Sequence, residues 1–150
     1  MAIFFHCAPI PLRVGSIIEP GNWGRVIKLW QTSNGQVQVQ ALNEVAFELA
    51  RRLFAPEKPS RLNCVFAART LAEAQTYRSA HASTNLIYEI ETIDPSPAIH
   101  LGDYSVAIEP HSGRYFEPAM QRAQSYWTET SPASPEVLIG GAVRVLARHD

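Results

Sequence analysis

Apolar positions along the chain come in short bursts separated by turn residues. Residues 3–8 form an apolar, aromatic run closed by Pro9, the pattern of a buried strand. Residues 14–19 predict a second short extended piece. Pro20-Gly21-Asn22-Trp23-Gly24 has turn chemistry, because proline presets φ and glycine or asparagine accepts positive φ. Residues 25–40 define no element; within them 36–40 alternates Gln and Val, as an exposed strand or a mobile loop would. Residues 41–54 predict a helix with Leu42, Val45, Leu49 and Leu53 on its core face and Ala46 and Phe47 beside it, stopped by Pro56 and Pro59. A strand is expected over 62–67. Thr70 then caps a helix running to about His81, with Glu73 completing a capping box. Further strands are expected over 86–93 and 104–108 and a helix over 118–126. One or two strands over 137–147 follow, with Gly140-Gly141 as a turn or bulge. Strand, helix, strand, helix and then mostly strands predicts an α+β fold.

Length adds that 150 residues suit a single domain, 1–150, with one core. A net charge of −1 gives no bulk attraction to nucleic acid or a membrane surface. No apolar run approaches the length that spans a bilayer, and the first residues lack the basic start of a signal peptide. Cys7 and Cys64 make no disulfide framework and read as small buried residues in a reducing compartment, so a soluble cytoplasmic protein is expected.

Metal chemistry is not expected: no His or Cys pair stands at ligand spacing. Nucleophile-elbow and P-loop motifs are missing as well. His6 in the first strand is either a satisfied core histidine or a site residue. Glu136, just before Val137-Leu138-Ile139, is either a solvated strand end or a carboxylate aimed into a cleft, where it stabilises a developing cation or orients a nucleophile. Phe66, Tyr77 and Trp127 fill the core or stack on a planar ring. Arg61 is a solvated turn residue or a phosphate clamp. Gly21 and Gly24, flanking Trp23, would serve as hinges if residues 22–40 formed a lid.

Three segments, in order, resemble the ADP-ribosyltransferase superfamily, in the style of small bacterial members such as the rifampin-modifying enzymes and DNA-modifying DarT-type toxins. The first is Phe4-Phe5-His6-Cys7-Ala8 followed by Leu12-Arg13-Val14-Gly15-Ser16-Ile17-Ile18-Glu19-Pro20-Gly21. The second is Asn63-Cys64-Val65-Phe66-Ala67-Ala68-Arg69-Thr70-Leu71-Ala72-Glu73-Ala74, and the third is Pro135-Glu136-Val137-Leu138-Ile139. The resemblance implies a split β-sandwich with two or three flanking helices, and an enzyme that transfers ADP-ribose from NAD and releases nicotinamide. It implies that His6 bonds the adenosine ribose, that the Cys7 backbone holds the nicotinamide amide, that Phe66 packs near the nicotinamide ring and that Glu136 is the catalytic acid. Arg61 and Tyr77 join the expected cofactor-binding set.

The sequence departs from the family pattern at Cys7-Ala8, where a Gly-Thr-like pair is usual, and at Phe66, which lacks a hydroxyl. Ser134 stands where arginine-modifying members carry a second acid, which makes arginine a poor acceptor. A nucleic acid, another protein group or a small molecule remains as acceptor. Two alternatives stand beside this reading: a tRNA 2′-phosphotransferase-like enzyme using Arg13, Arg61 and Arg69, and a non-enzymatic binding module with Trp23 and residues 36–40 as partner surface.

Overall fold

The computed structural model describes residues 1–31, 39–108, 114 and 116–149. Among these residues, seven strands make two antiparallel sheets. The first, in order β1-β4-β7-β2, comprises β1 (Ile3–Ala8), β2 (Ile17–Ile18), β4 (Leu86–Thr92) and β7 (Val143–His149). The second, in order β3-β6-β5, comprises β3 (Val65–Ala67), β5 (Ile99–Asp103) and β6 (Pro135–Ile139). Five helices accompany them among the described residues: α1 (Asn22–Leu29), α2 (Val39–Phe54), α3 (Leu71–His81), α4 (Tyr104–Ile108) and α5 (Phe116–Thr128). The fold is α+β, with more helices than the two or three expected.

Strand alternation explains the layering, because successive side chains point to opposite faces. Val65, Ala67, Val137 and Ile139 of the second sheet meet Tyr88, Ile90, Val143 and Val145 of the first in one apolar layer. The reverse face of the second sheet carries Leu138, which packs with Phe47, Ala50, Ala123, Tyr126 and Trp127 of α2 and α5. The reverse face of the first carries Ile87, packed with Ala74 of α3.

Several elements differ from expectation, each for a visible reason. Residues 104–108 are helix rather than strand. Asp103 ends β5, and its Oδ1 accepts from the Ser105 N–H at 3.0 Å, closing an N-terminal turn. Its Oδ2 accepts from the Ala133 N–H at 2.8 Å, tying the loop before β6 to the same point. The expected strand over 62–67 is shorter: Arg61–Asn63 forms a 3₁₀ turn, with Ser60 Oγ accepting from the Leu62 N–H at 3.2 Å. The Trp23 segment is helical. Gly21 enters α1 at φ 97°, in the left-handed region that favours glycine. Gly24 lies in the helix interior, where a Cβ would stand 2.0 Å from the Leu62 carbonyl oxygen. Gly24 is therefore a packing contact between α1 and the 3₁₀ turn, not a hinge. Residues 36–38 lie outside the described residues, and Val39 and Gln40 open α2.

Helix α2 forms as expected but turns the other way. Leu42, Val45, Leu49 and Leu53 are exposed, and Glu44, Phe47 and Ala50 face inward.

His100 gives the fold a pH dependence. Its Nε2–H donates to the Tyr126 carbonyl at 2.9 Å, and its ring stacks on Trp127 at 4.9 Å. Burial lowers its pKa from 6.5 to about 4. The unfolded chain then binds the extra proton first, so stability falls as pH drops from about 6.5 to about 4. Urea midpoints measured across that window are expected to fall less steeply in His100→Gln; an unchanged slope would refute the assignment.

Candidate functional site

β3 and β6 part at one end of the second sheet, and the parting follows from register. Ala67 is the last β3 residue paired with β6, opposite Val137. The next residue, Ala68, leaves β6 and exchanges two backbone bonds with Phe5 of β1, at 2.9 and 2.7 Å. Glu136 therefore retains Gly102 of β5 as its partner but has none on β3. A cavity of about 550 Å³ opens there, within the size range of small-molecule sites. Its wall includes His6, Cys7, Arg61, Phe66, Tyr77 and Glu136, so the six residues expected from sequence to form the site meet around one space although they are spread over most of the chain.

His6 has a defined protonation pattern. Its Nδ1 lies 2.7 Å from the Phe66 carbonyl oxygen, which can only accept, so Nδ1 carries the proton. Burial lowers the imidazole pKa against the opposing effect of that bond. The ring is neutral at pH 7, with Nε2 an acceptor. Among the described residues, no group bonds Nε2.

Cys7 contributes its backbone. Peptide groups alternate sides along an antiparallel strand, so the N–H and C=O of Cys7 point to the side that Phe5 turns to Ala68. There β1 is an edge, and among the described residues no strand pairs with it beyond Ala68. An unpaired donor and acceptor on one residue can hold a carboxamide by two bonds. Burial raises the pKa of both the Cys7 and Cys64 thiols, which leaves neither a ready nucleophile.

Arg61 is in neither setting expected of it. It is buried between two carboxylates and three rings. Its Nε donates to both oxygens of Glu44 at 3.1 Å, and its Nη1 to the Tyr126 hydroxyl at 2.7 Å and to Glu136 Oε1. The guanidinium lies over Phe66 at 5.0 Å and Tyr126 at 4.9 Å. Burial opposes its charge, but Tyr126, Glu136 and Glu44 outweigh burial and hold its pKa well above the ordinary value. It is committed to those partners and is not free to clamp a phosphate.

Glu136 ends this network at the cavity wall. Its Oε1 takes both the Arg61 bond and a 2.6 Å bond from the Tyr126 hydroxyl. Burial raises the Tyr126 pKa well above the ordinary value, which keeps that phenol a donor. Among the described residues nothing bonds Oε2. One guanidinium faces two carboxylates, so the trio retains negative charge beside the cavity.

Tyr77 also lines the cavity, edge-on to Tyr104 at 5.3 Å and tilted against His81 at 5.5 Å. Sequence reasoning missed Glu44 and Tyr126, and read Trp23 only as part of a lid or a partner surface. Trp23 Nε1 donates to Glu44 Oε1 at 2.8 Å, tying α1 to the charged network. The available signal for Glu44 was a single acid within the otherwise uncharged stretch 39–47 of a helix. Nothing in the sequence marks Tyr126 apart from other core aromatics.

Residues 17–150 match a family described as "Protein of unknown function (DUF2441)", and the chain belongs to that family. The match includes Arg61, Phe66, Tyr77 and Glu136; β1, with His6 and Cys7, precedes it. No curated protein matches the chain. Among the described residues no three His, Cys, Asp or Glu side chains gather to hold a metal ion, and no helix is long and apolar enough to cross a membrane.

Proposed function

We propose that the chain is an NAD-dependent ADP-ribosyltransferase built on a split β-sandwich, with Glu136 as the catalytic carboxylate and NAD as co-substrate. One observation carries the reading: Glu136, with Oε2 uncommitted and surplus negative charge behind it, shares a cavity with neutral His6 and the edge backbone of Cys7. Breaking the bond between ribose and a cationic nicotinamide develops positive charge on the ribose. A fixed carboxylate opposes that charge, and its free oxygen can accept from a ribose hydroxyl. The Cys7 N–H and C=O suit the nicotinamide amide, and His6 Nε2 suits the hydroxyl of the second ribose. Phe66 and Tyr77 supply ring faces that hold the leaving group in line. Arg61 acts through Glu136 as a positioning residue.

Charge also orders the ligand. A wall with surplus negative charge favours the cationic nicotinamide end inside and leaves the diphosphate towards the mouth. The same polarity disfavours the 2′-phosphotransferase alternative, which needs free cations in the cleft. Among the described lining residues Arg61 is the one arginine or lysine, and it is engaged. The acceptor is a nucleic acid, a protein group or a small molecule.

Titration with NAD, read as thermal shift and as nicotinamide release, tests the reading. A ligand that binds only the native state raises apparent stability. The wild type is expected to shift and to release nicotinamide. Glu136→Gln is expected to shift but to lose release by about 10²-fold or more, keeping its fold because Arg61 retains Glu44. His6→Ala is expected to lose the shift. A wild type with neither shift nor release moves the assignment to a non-enzymatic binding module.

A further inference from the structure

The outward face of α2 is apolar where a surface helix is ordinarily polar. Val39, Leu42, Val45, Leu49 and Leu53 are each 44% to 76% exposed. On a 3.6-residue helix they form one continuous stripe, set against the inward face of Glu44, Phe47 and Ala50. Five such side chains leave on the order of 500 Å² per protomer in water, and two copies would bury about 1,000 Å², where specific interfaces begin.

We propose that this stripe is a self-association face, covered by α2 of a second copy running antiparallel. The spacing supports a two-fold axis. An antiparallel pair places Leu42 opposite the second copy's Leu53, and Val45 opposite its Leu49. The midpoints of these two pairs fall within one residue of each other, beside Phe47 and Glu48. Both pairs are then apolar to apolar and recur across the axis, as a self-complementary interface requires. Arg52, which borders the stripe, is held by Glu48 of its own helix at 3.0 Å, which lessens repulsion between copies. The inward face of α2 keeps Glu44 on Arg61, so the association leaves the cavity network intact.

Light scattering on the eluting 150-residue chain at micromolar concentration tests this. The wild type is expected at twice the 16.7 kDa chain mass and Leu49→Glu at the chain mass, with an unchanged far-UV circular dichroism spectrum. Leu49 is half-exposed, so the substitution does not intrude on the core. A second pair of variants checks the register without relying on that one: Leu53→Glu alone is expected to be monomeric and to recover a mixed dimer when combined with Leu42→Lys. The proposal is overturned by a wild type that is monomeric throughout, including one that instead captures another macromolecule on this face. It is equally overturned by a dimer that Leu49→Glu leaves intact.

Discussion

Arg61→Met is expected to lower unfolding free energy by about 3–5 kcal/mol at pH 7, the usual result of removing one member of a buried ion group. Methionine occupies a similar path but leaves Glu44 and Glu136 buried without their cation, and leaves the Tyr126 hydroxyl without its donor. The loss comes from stranded carboxylates and not from lost volume. Neutralising them should therefore restore stability: Arg61→Met combined with Glu44→Gln and Glu136→Gln is expected to recover much of the deficit. Urea denaturation of the single and triple variants decides the matter. A single variant within about 1 kcal/mol of wild type would mean that water reaches the carboxylates and that the network does not hold the site together. A triple variant as unstable as the single one would place the loss in packing against Phe47, Phe66 and Tyr126 instead.

The same cluster separates what was legible in the sequence from what was not. β1, β4 and the pair β6–β7 were readable because short apolar runs bounded by Pro and Gly have few other uses. α3 was readable from its cap, where Thr70 Oγ1 accepts from the Glu73 N–H at 3.2 Å. The Glu73 side chain returns to the Arg69 N–H at 3.0 Å, one residue before the position a capping box implies. In α1, a proline, two glycines and an asparagine argue for a turn by local propensity. Packing of Gly24 on the Leu62 carbonyl overrides that preference, and a contact about forty residues away is not written in a local pattern. The face of α2 was misread because periodicity finds an apolar stripe but not what covers it. Glu44 faces inward because Arg61 is there, and the turn neighbours Pro59 and Ser60 left Arg61 open between a solvated turn residue and a phosphate clamp, neither of which implies a buried partner on α2. His6, Cys7, Phe66 and Glu136 were placed by motif order alone, and periodicity in their segments said nothing about the parting of β3 from β6 beside which they line one cavity.

Gly102→Ala is expected to disrupt the site from behind. Gly102 pairs with Glu136 across β5 and β6, and a Cβ there would stand 2.4 Å from Tyr126 Cζ and 2.6 Å from its hydroxyl oxygen. No rotation of a methyl group relieves that, and the Tyr126 ring is fully buried against Phe47, His100 and Trp127. The ring must swing, taking its hydroxyl from Glu136 and Arg61. Overpacking and the broken bonds together are expected to cost on the order of 3 kcal/mol. Tyr126→Phe separates the two effects, since it removes the hydroxyl but leaves the ring, and it is expected to cost about 1–2 kcal/mol. Added to Tyr126→Phe, Gly102→Ala should still destabilise, but by less than it does alone, because the hydroxyl it displaces is already gone. Near-UV circular dichroism should change strongly for Gly102→Ala and little for Tyr126→Phe. Wild-type stability in Gly102→Ala would show that β5 can move away from α5, and that Tyr126 is not what holds Glu136 at the cavity wall.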